Sequence, residues 1–229
     1  MLKKFNHKWA TIPKLKQINS DGGRKYLIEG TEVKYPSITT VLSKTSDTSS
    51  LIAWRNRVGV EQATKISTMA TRRGTSMHKL CEQYLLNEET DDDNLDGNML
   101  FKSIRPHLDD FDNVRCLEAP LYSHTFKVAG TVDCIAEVDG KLTIVDFKTA
   151  NKPKKVEWIE NYFMQGCFYF WSYYEITGEM PEQILILISV QDGSIQKFYL
   201  TKKDIIKYTE QLKQTMEKYY NVITNTTAD

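Results

Sequence analysis

The chain has 229 residues, 41% hydrophobic and 26% charged, with 4 Trp, 12 Tyr and 9 Phe. That is enough apolar material for a packed core, and it excludes an intrinsically disordered chain. Lys plus Arg equal Asp plus Glu at 30 each. A net charge of zero excludes binding of nucleic acid through bulk basicity, so any attraction to phosphate has to come from local patches.

The first residues, MLKKFNHKWATIPKLKQ, are basic and carry no acid before Asp21. With no Arg and one Ser in the first twenty residues, they read as a basic arm rather than a transit peptide. Tyr26 to Tyr35 predicts two short strands around a turn at Gly30. Pro36 or Ser37 then starts a helix that runs through Leu42. A long helical region follows from about Leu51 to Leu86, with breaks expected at Gly59 and Gly74. The stretch from Asn87 to Gly97 carries Glu88, Glu89, Asp91, Asp92, Asp93 and Asp96, and such like charges predict a solvated loop. A helix from Asn98 to Phe111 closes the first half.

The period then changes. Val114–Tyr122, Lys127–Val138 and Lys141–Phe147 read as strands, the last two joined by the hairpin dipeptide Asp139-Gly140. A helix from Glu157 to Thr177 ends at Gly178, with Pro181 behind it. Strands at Gln183–Val190 and Ser194–Leu200 flank Asp192-Gly193, and a final helix runs from about Lys202 to Val222. This order predicts one mixed α/β domain over 1–229. Its hairpin and helical part covers 1–112, and its sheet-containing core covers 113–229. No apolar run approaches the roughly 20 residues of a membrane span. Cys81, Cys116, Cys134 and Cys167 are too scattered for a metal motif and read as small buried residues of a reducing compartment.

The chemistry-bearing residues are Gly130-Thr-Val-Asp133 and Asp146-Phe-Lys148, on the two strands of the predicted hairpin. Alternate strand residues share a face, so Asp146 and Lys148 point the same way. Asp133 comes near Asp146 across the hairpin, and two close carboxylates call for a cation. Oxygen ligands suit Mg²⁺ or Mn²⁺, with Lys148 orienting an attacking water. The plainer alternative is a strand-end salt bridge between Asp146 and Lys148. On the long helix, His78 and Glu82 are one turn apart, and His78 either completes a metal shell or is a core-edge histidine. Gln165 and Tyr169, also four apart, either hold the lysine or a phosphate, or simply pack. Lys148-Thr-Ala-Asn-Lys-Pro-Lys-Lys155 is a basic turn beside these residues, placed to attract phosphate.

In order, R-G-x-x-x-H-x-x-x-E from Arg73, G-x-x-D from Gly130, D-x-K from Asp146 and Q-x-x-x-Y from Gln165 resemble the RecB-like branch of the PD-(D/E)xK nucleases. The likeness is nearest to its mitochondrial genome maintenance and phage exonucleases. Pro36-Ser-Ile-Thr-Thr-Val-Leu42 and Leu117-Glu-Ala-Pro120 add to the resemblance, which spans roughly residues 36 to 170. It implies a restriction-endonuclease-like core, a central mixed sheet flanked by helices. It also implies a divalent metal on His78, Asp133, Asp146 and the Phe147 carbonyl. Lys148 would be the catalytic lysine, acting with Asp133 and Asp146. Gln165, Tyr169, Arg73, Glu82 and Glu118 would be supporting or phosphate-binding residues.

The implied activity is exonucleolytic hydrolysis at DNA ends, preferring single strands, in replication, recombination or repair. The alternatives are a structure-specific endonuclease on the same core and an inactive DNA-binding recombination module. No cysteine follows Cys167, so no iron–sulfur cluster is expected. With no helicase portion, a helicase, polymerase or single-strand-binding protein is the expected partner, and no membrane is. The missing transit peptide favours the cytoplasm of a bacterium or a phage host, with the mitochondrion as the alternative.

Overall fold

The computed structural model describes residues 3–20 and 22–226, with side chains through residue 221. Met1 and Leu2 of the basic arm, Asp21, and residues 227–229 of the expected domain lie outside the described residues. Three short antiparallel strands come first, β1 (Leu15–Ser20), β2 (Gly23–Ile28) and β3 (Lys34–Pro36). Two of them were expected. β1 has no buried residue and therefore no apolar alternation to betray it.

Helix α1 (Ile38–Thr45) starts at Ser37, whose hydroxyl accepts the Thr40 N–H as an N-cap should. Next come α2 (Ser49–Val58) and α3 (Val60–Leu85), separated at Gly59, whose φ of 85° ends the first helix. The break expected at Gly74 does not occur. A Cβ there would meet only the Thr149 hydroxyl, at an ordinary 3.6 Å, so the glycine is accommodated within continuous helix.

α4 (Leu95–Leu108) takes in Asp96 and Gly97 from the expected acidic loop. Asp92 in that loop is tied down rather than merely solvated. It accepts from the Ser76 hydroxyl and the Asn94 N–H and faces Lys79 at 3.5 Å.

The central sheet holds β4 (Phe111–Ser123), β5 (Val128–Val138), β6 (Lys141–Ala150), β7 (Gln183–Val190) and β8 (Ile195–Leu200) in that order. Only the β6–β7 pair is parallel. The boundary expected at 112/113 falls inside β4. Asp139 and Gly140 both take positive φ in the turn between β5 and β6, as a tight hairpin of their type demands. α5 (Glu160–Thr177), after a single 3₁₀ turn at Val156–Trp158, makes the crossover between the parallel strands. α6 (Lys202–Thr226) closes the chain.

Alternate residues of β6 and β7 sort into two cores. Ile144, Ile184, Ile186 and Ile188 pack with α1, α5 and α6, while Val145, Phe147, Leu185 and Leu187 pack with α3 and α4. A strand covered on both faces reads as a continuous apolar run, as β7 does. The basic arm is not free: Lys8 and Ala10 donate to the Val114 and Arg115 carbonyls along the outer edge of β4. Among the described residues no helix is long and apolar enough to cross a membrane.

Candidate active site

Glu118, Asp133 and Asp146 lie on one rung of three neighbouring strands. The pairs Leu117↔Cys134 and Ala119↔Val132 bracket Glu118 with Asp133, and the last β5–β6 pair, Cys134↔Val145, places Asp133 and Asp146 on the next step. Regular pairing lapses at this rung. Glu118 turns into the left-handed region with φ 42°, and Asp133 Oδ2 accepts the Phe147 N–H at 2.7 Å. Neighbouring strands are about 4.8 Å apart, so the row crowds like charges that ordinary sheets avoid placing opposite one another. Its side chains rise from the interior to the surface: 1% exposed at Asp146, 11% at Asp133, 36% at Glu118.

His78 comes in from α3. Its Nδ1 lies 3.5 Å from Asp133 Oδ1 and 3.8 Å from Glu118 Oε1, and all three can bring ligand atoms within 4.8 Å of one another. The Phe147 ring meets the imidazole edge-on at 6.0 Å. Burial works against protonation of His78, but the charge and hydrogen bond of Asp133, helped by Glu118, win and push its pKa up to about 10. Asp133 is held below the usual carboxylate range by the same pairing, against its own burial.

Lys148 Nζ stands 2.5 Å from Asp146 Oδ2, so the plain salt-bridge alternative describes this contact. Among the described residues that buried oxygen has no further hydrogen-bond partner beyond the lysine. Burial, then the neighbouring Asp133 charge, raise the Asp146 pKa against the pull of Lys148.

Gln165 and Tyr169 brace β5. Tyr169 donates to the Thr131 carbonyl at 2.6 Å and receives a bond from Gln165 Nε2 at 3.2 Å. Gly130 permits this, because a Cβ there would come within 2.9 Å of Ile38 and 3.1 Å of the Tyr169 ring. Arg73 is placed elsewhere. Its guanidinium bonds Asn151 and Gln191 and ties α3 to the ends of β6 and β7. Glu82 lines an open groove with Gly74, Thr75, His78, Lys79 and Glu118. Burial and the charges of Glu118 and Glu88 raise its pKa.

His78 and Asp133 thus meet as expected neighbours, with Asp146 beside Lys148 one strand further in. Glu118, expected only as a support, stands with His78 and Asp133 instead. Spacing carried no signal for this, since the register of β4 is a long-range property. Tyr162 was also missed as a neighbour of Lys148, although the spacing Tyr162, Gln165, Tyr169 is the i, i+3, i+7 signature of one helix face.

A mixed five-stranded sheet flanked by helices carries these acids and the lysine on its neighbouring strands β4, β5 and β6. The chain is also similar in sequence to known proteins. It is 31% identical over 129 residues to mitochondrial genome maintenance exonuclease 1 of Homo sapiens, covering 52% of this chain and 38% of that one. The Mus musculus protein of the same name is 30% identical over 132 residues, again covering 52% and 38%. The Xenopus tropicalis one is 28% identical over 140 residues, covering 57% and 40%. The match therefore spans about two fifths of the length of these relatives. A crystal structure of a candidate exonuclease from Eubacterium rectale shares the fold, with a TM-score of 0.52, 13% identity and coverage of 69% and 68% of the two chains. No family model matches the chain.

Proposed function

We propose that the chain is a divalent-metal-dependent deoxyribonuclease that hydrolyses phosphodiester bonds from DNA ends and prefers single strands. The row of three carboxylates on one rung carries this reading. Two cations, Lys148 and the protonated imidazole, face three acids, and beyond Lys148 the buried Oδ2 of Asp146 has no partner among the described residues. Such a donor set, oxygens with one imidazole, fits Mg²⁺ or Mn²⁺. His78, Asp133, Asp146 and the Phe147 carbonyl would hold the ion, with Glu118 at its solvent side. When bound, it neutralises the scissile phosphate and acidifies a water.

The chain's own groups do the rest. Lys148 orients the attacking water and stabilises charge developing on the phosphate. Tyr169 and Gln165 keep the Asp133 strand in place through the Thr131 carbonyl. His78 has to give up its proton to act as a ligand, since only neutral imidazole coordinates. Lys152, Lys154 and Lys155, with the exposed Trp158 under Lys155, stand in the turn directly after the Lys148 strand. They attract backbone phosphate and offer a face to unpaired bases. The relatives, named as exonucleases of genome maintenance, support action at ends in replication, recombination or repair. A helicase, polymerase or single-strand-binding protein would supply the strand, in the cytoplasm of a bacterium or phage host or in the mitochondrion.

The test uses linear and closed circular single-stranded DNA, with duplex controls, in Mg²⁺, Mn²⁺ or chelator. Degradation of linear strands alone, abolished by chelator, is expected. Linearised circles would make the protein an endonuclease, and binding without any product in either ion would end the reading.

A further inference from the structure

Among the described residues, Tyr162 is the one aromatic ring whose face meets the proposed catalytic lysine. Lys148 Nζ lies 5.1 Å from the ring centroid, within the range over which a ring face attracts an ammonium. The ring sits in the first turn of α5, half-buried against the α5–α6 core, three residues before Gln165 and seven before Tyr169. α5 therefore presents one stripe to the sheet. Its lower part braces the strand of Asp133, and its upper part covers the end of Lys148.

The need for such a partner follows from the ion pair itself. Lys148 is a point charge on a flexible four-carbon stem, and its carboxylate partner within salt-bridge range is Asp146. An oxygen of Asp146 that turns to a cation is no longer fully available to the ammonium. Asp133 is already committed to the Phe147 N–H and to His78. An aromatic face attracts the ammonium without offering an oxygen, so it does not compete with the lysine for the same acids.

We propose that Tyr162 is a positioning residue for Lys148, its ring face holding the ammonium over the site when Asp146 is engaged elsewhere. This rests on the nuclease reading above. The hydroxyl has no part in it and the ring electrons do.

The experiment replaces Tyr162 with Phe, with Leu, and with phenylalanines of increasing ring fluorination, which keep the shape and drain the ring face. Two readouts are taken. In the metal-free protein, the ring should shift the ε-methylene protons of Lys148 upfield in NMR spectra. That shift should persist in Tyr162→Phe and vanish in Tyr162→Leu. In cleavage assays, Tyr162→Phe should match wild type, while Tyr162→Leu should lower kcat roughly tenfold with KM unchanged. kcat should fall stepwise with fluorination.

An equal loss in Tyr162→Phe and Tyr162→Leu would assign the role to the hydroxyl and overturn the proposal. A raised KM with kcat preserved would make the ring a base-stacking surface and overturn it as well. So would an unchanged kcat across the fluorinated series. Lys148→Ala separates the two levels. If that variant cleaves like wild type, the nuclease site itself is wrong, whereas a dead Lys148→Ala beside a fully active Tyr162→Leu removes only the role of Tyr162.

Discussion

Two charged clusters share strands β4 and β5, one reaching Glu179 beyond α5 and the other Asp146 on β6, and they are built on opposite principles. At one, Arg115 bonds Glu137 at 3.2 Å, Glu179 at 3.1 Å and the Asn113 carbonyl at 2.6 Å. Asn113 and Tyr173 donate to the remaining oxygens of Glu137 and Glu179. Every charge there has a partner from the chain. At the other, Glu118, Asp133 and Asp146 crowd onto one rung, the ladder lapses, and the buried Asp146 oxygen faces Lys148. Folding normally satisfies buried polar groups, because leaving one unpaired costs about 1–3 kcal/mol. The second cluster sets three acids against two cations, Lys148 and His78, so its like charges are only partly balanced by the chain. The first is a structural clasp.

The contrast breaks most sharply at Asp146. Asp146→Ala or Lys148→Ala should lower cleavage roughly 10²–10³-fold. The melting temperature of Asp146→Ala should fall, since the substitution leaves the largely buried Lys148 without its carboxylate partner. Single-turnover cleavage of end-labelled strands beside thermal melts reads both, and wild-type cleavage by Asp146→Ala would refute the assignment. The mirror experiment is Arg115→Met. It should cost about 1–3 kcal/mol of stability, the figure for a buried pair discounted for the partial exposure of Glu179. It should leave kcat intact, and urea titration with the same assay measures the two.

The smallest effect is a pH dependence. Burial pulls Glu179 upward, but Tyr173 and Arg115 hold its carboxyl below the usual range. A depressed carboxylate adds stability that is fully present above its unfolded pKa and is lost as pH falls through the folded one. The melting temperature of wild type should therefore drop between about pH 5 and pH 3 more steeply than that of Glu179→Gln. Parallel curves would show that Glu179 contributes nothing to the clasp.

How far each cluster could be read in advance differs for the same physical reason. D-x-K puts Asp146 and Lys148 on one face through the two-residue period of a strand, and Asp139-Gly140 closes the hairpin that brings Asp133 across. These are local rules, so the centre of the site was legible. Nothing local says that Glu118 stands opposite Asp133, or that Arg115 meets Glu179 from 64 residues away. The expected helix break at Gly74 failed because the cost of a helical glycine, about 1 kcal/mol, is readily overridden by packing. For Arg73 the resemblance implied a supporting or phosphate-binding role, and its guanidinium lies against Asn151 and Gln191.

By itself the sequence determined the mixed α/β class, the strands and helices of the second half, and the acids and lysine shared by one hairpin, because periodicity and turn chemistry act over a few residues. Only the tertiary structure decided which third acid joins them, which ring covers the lysine, and which arginine is spent on holding the fold. Those depend on strand register and helix docking, and both are set by burial summed over the whole chain.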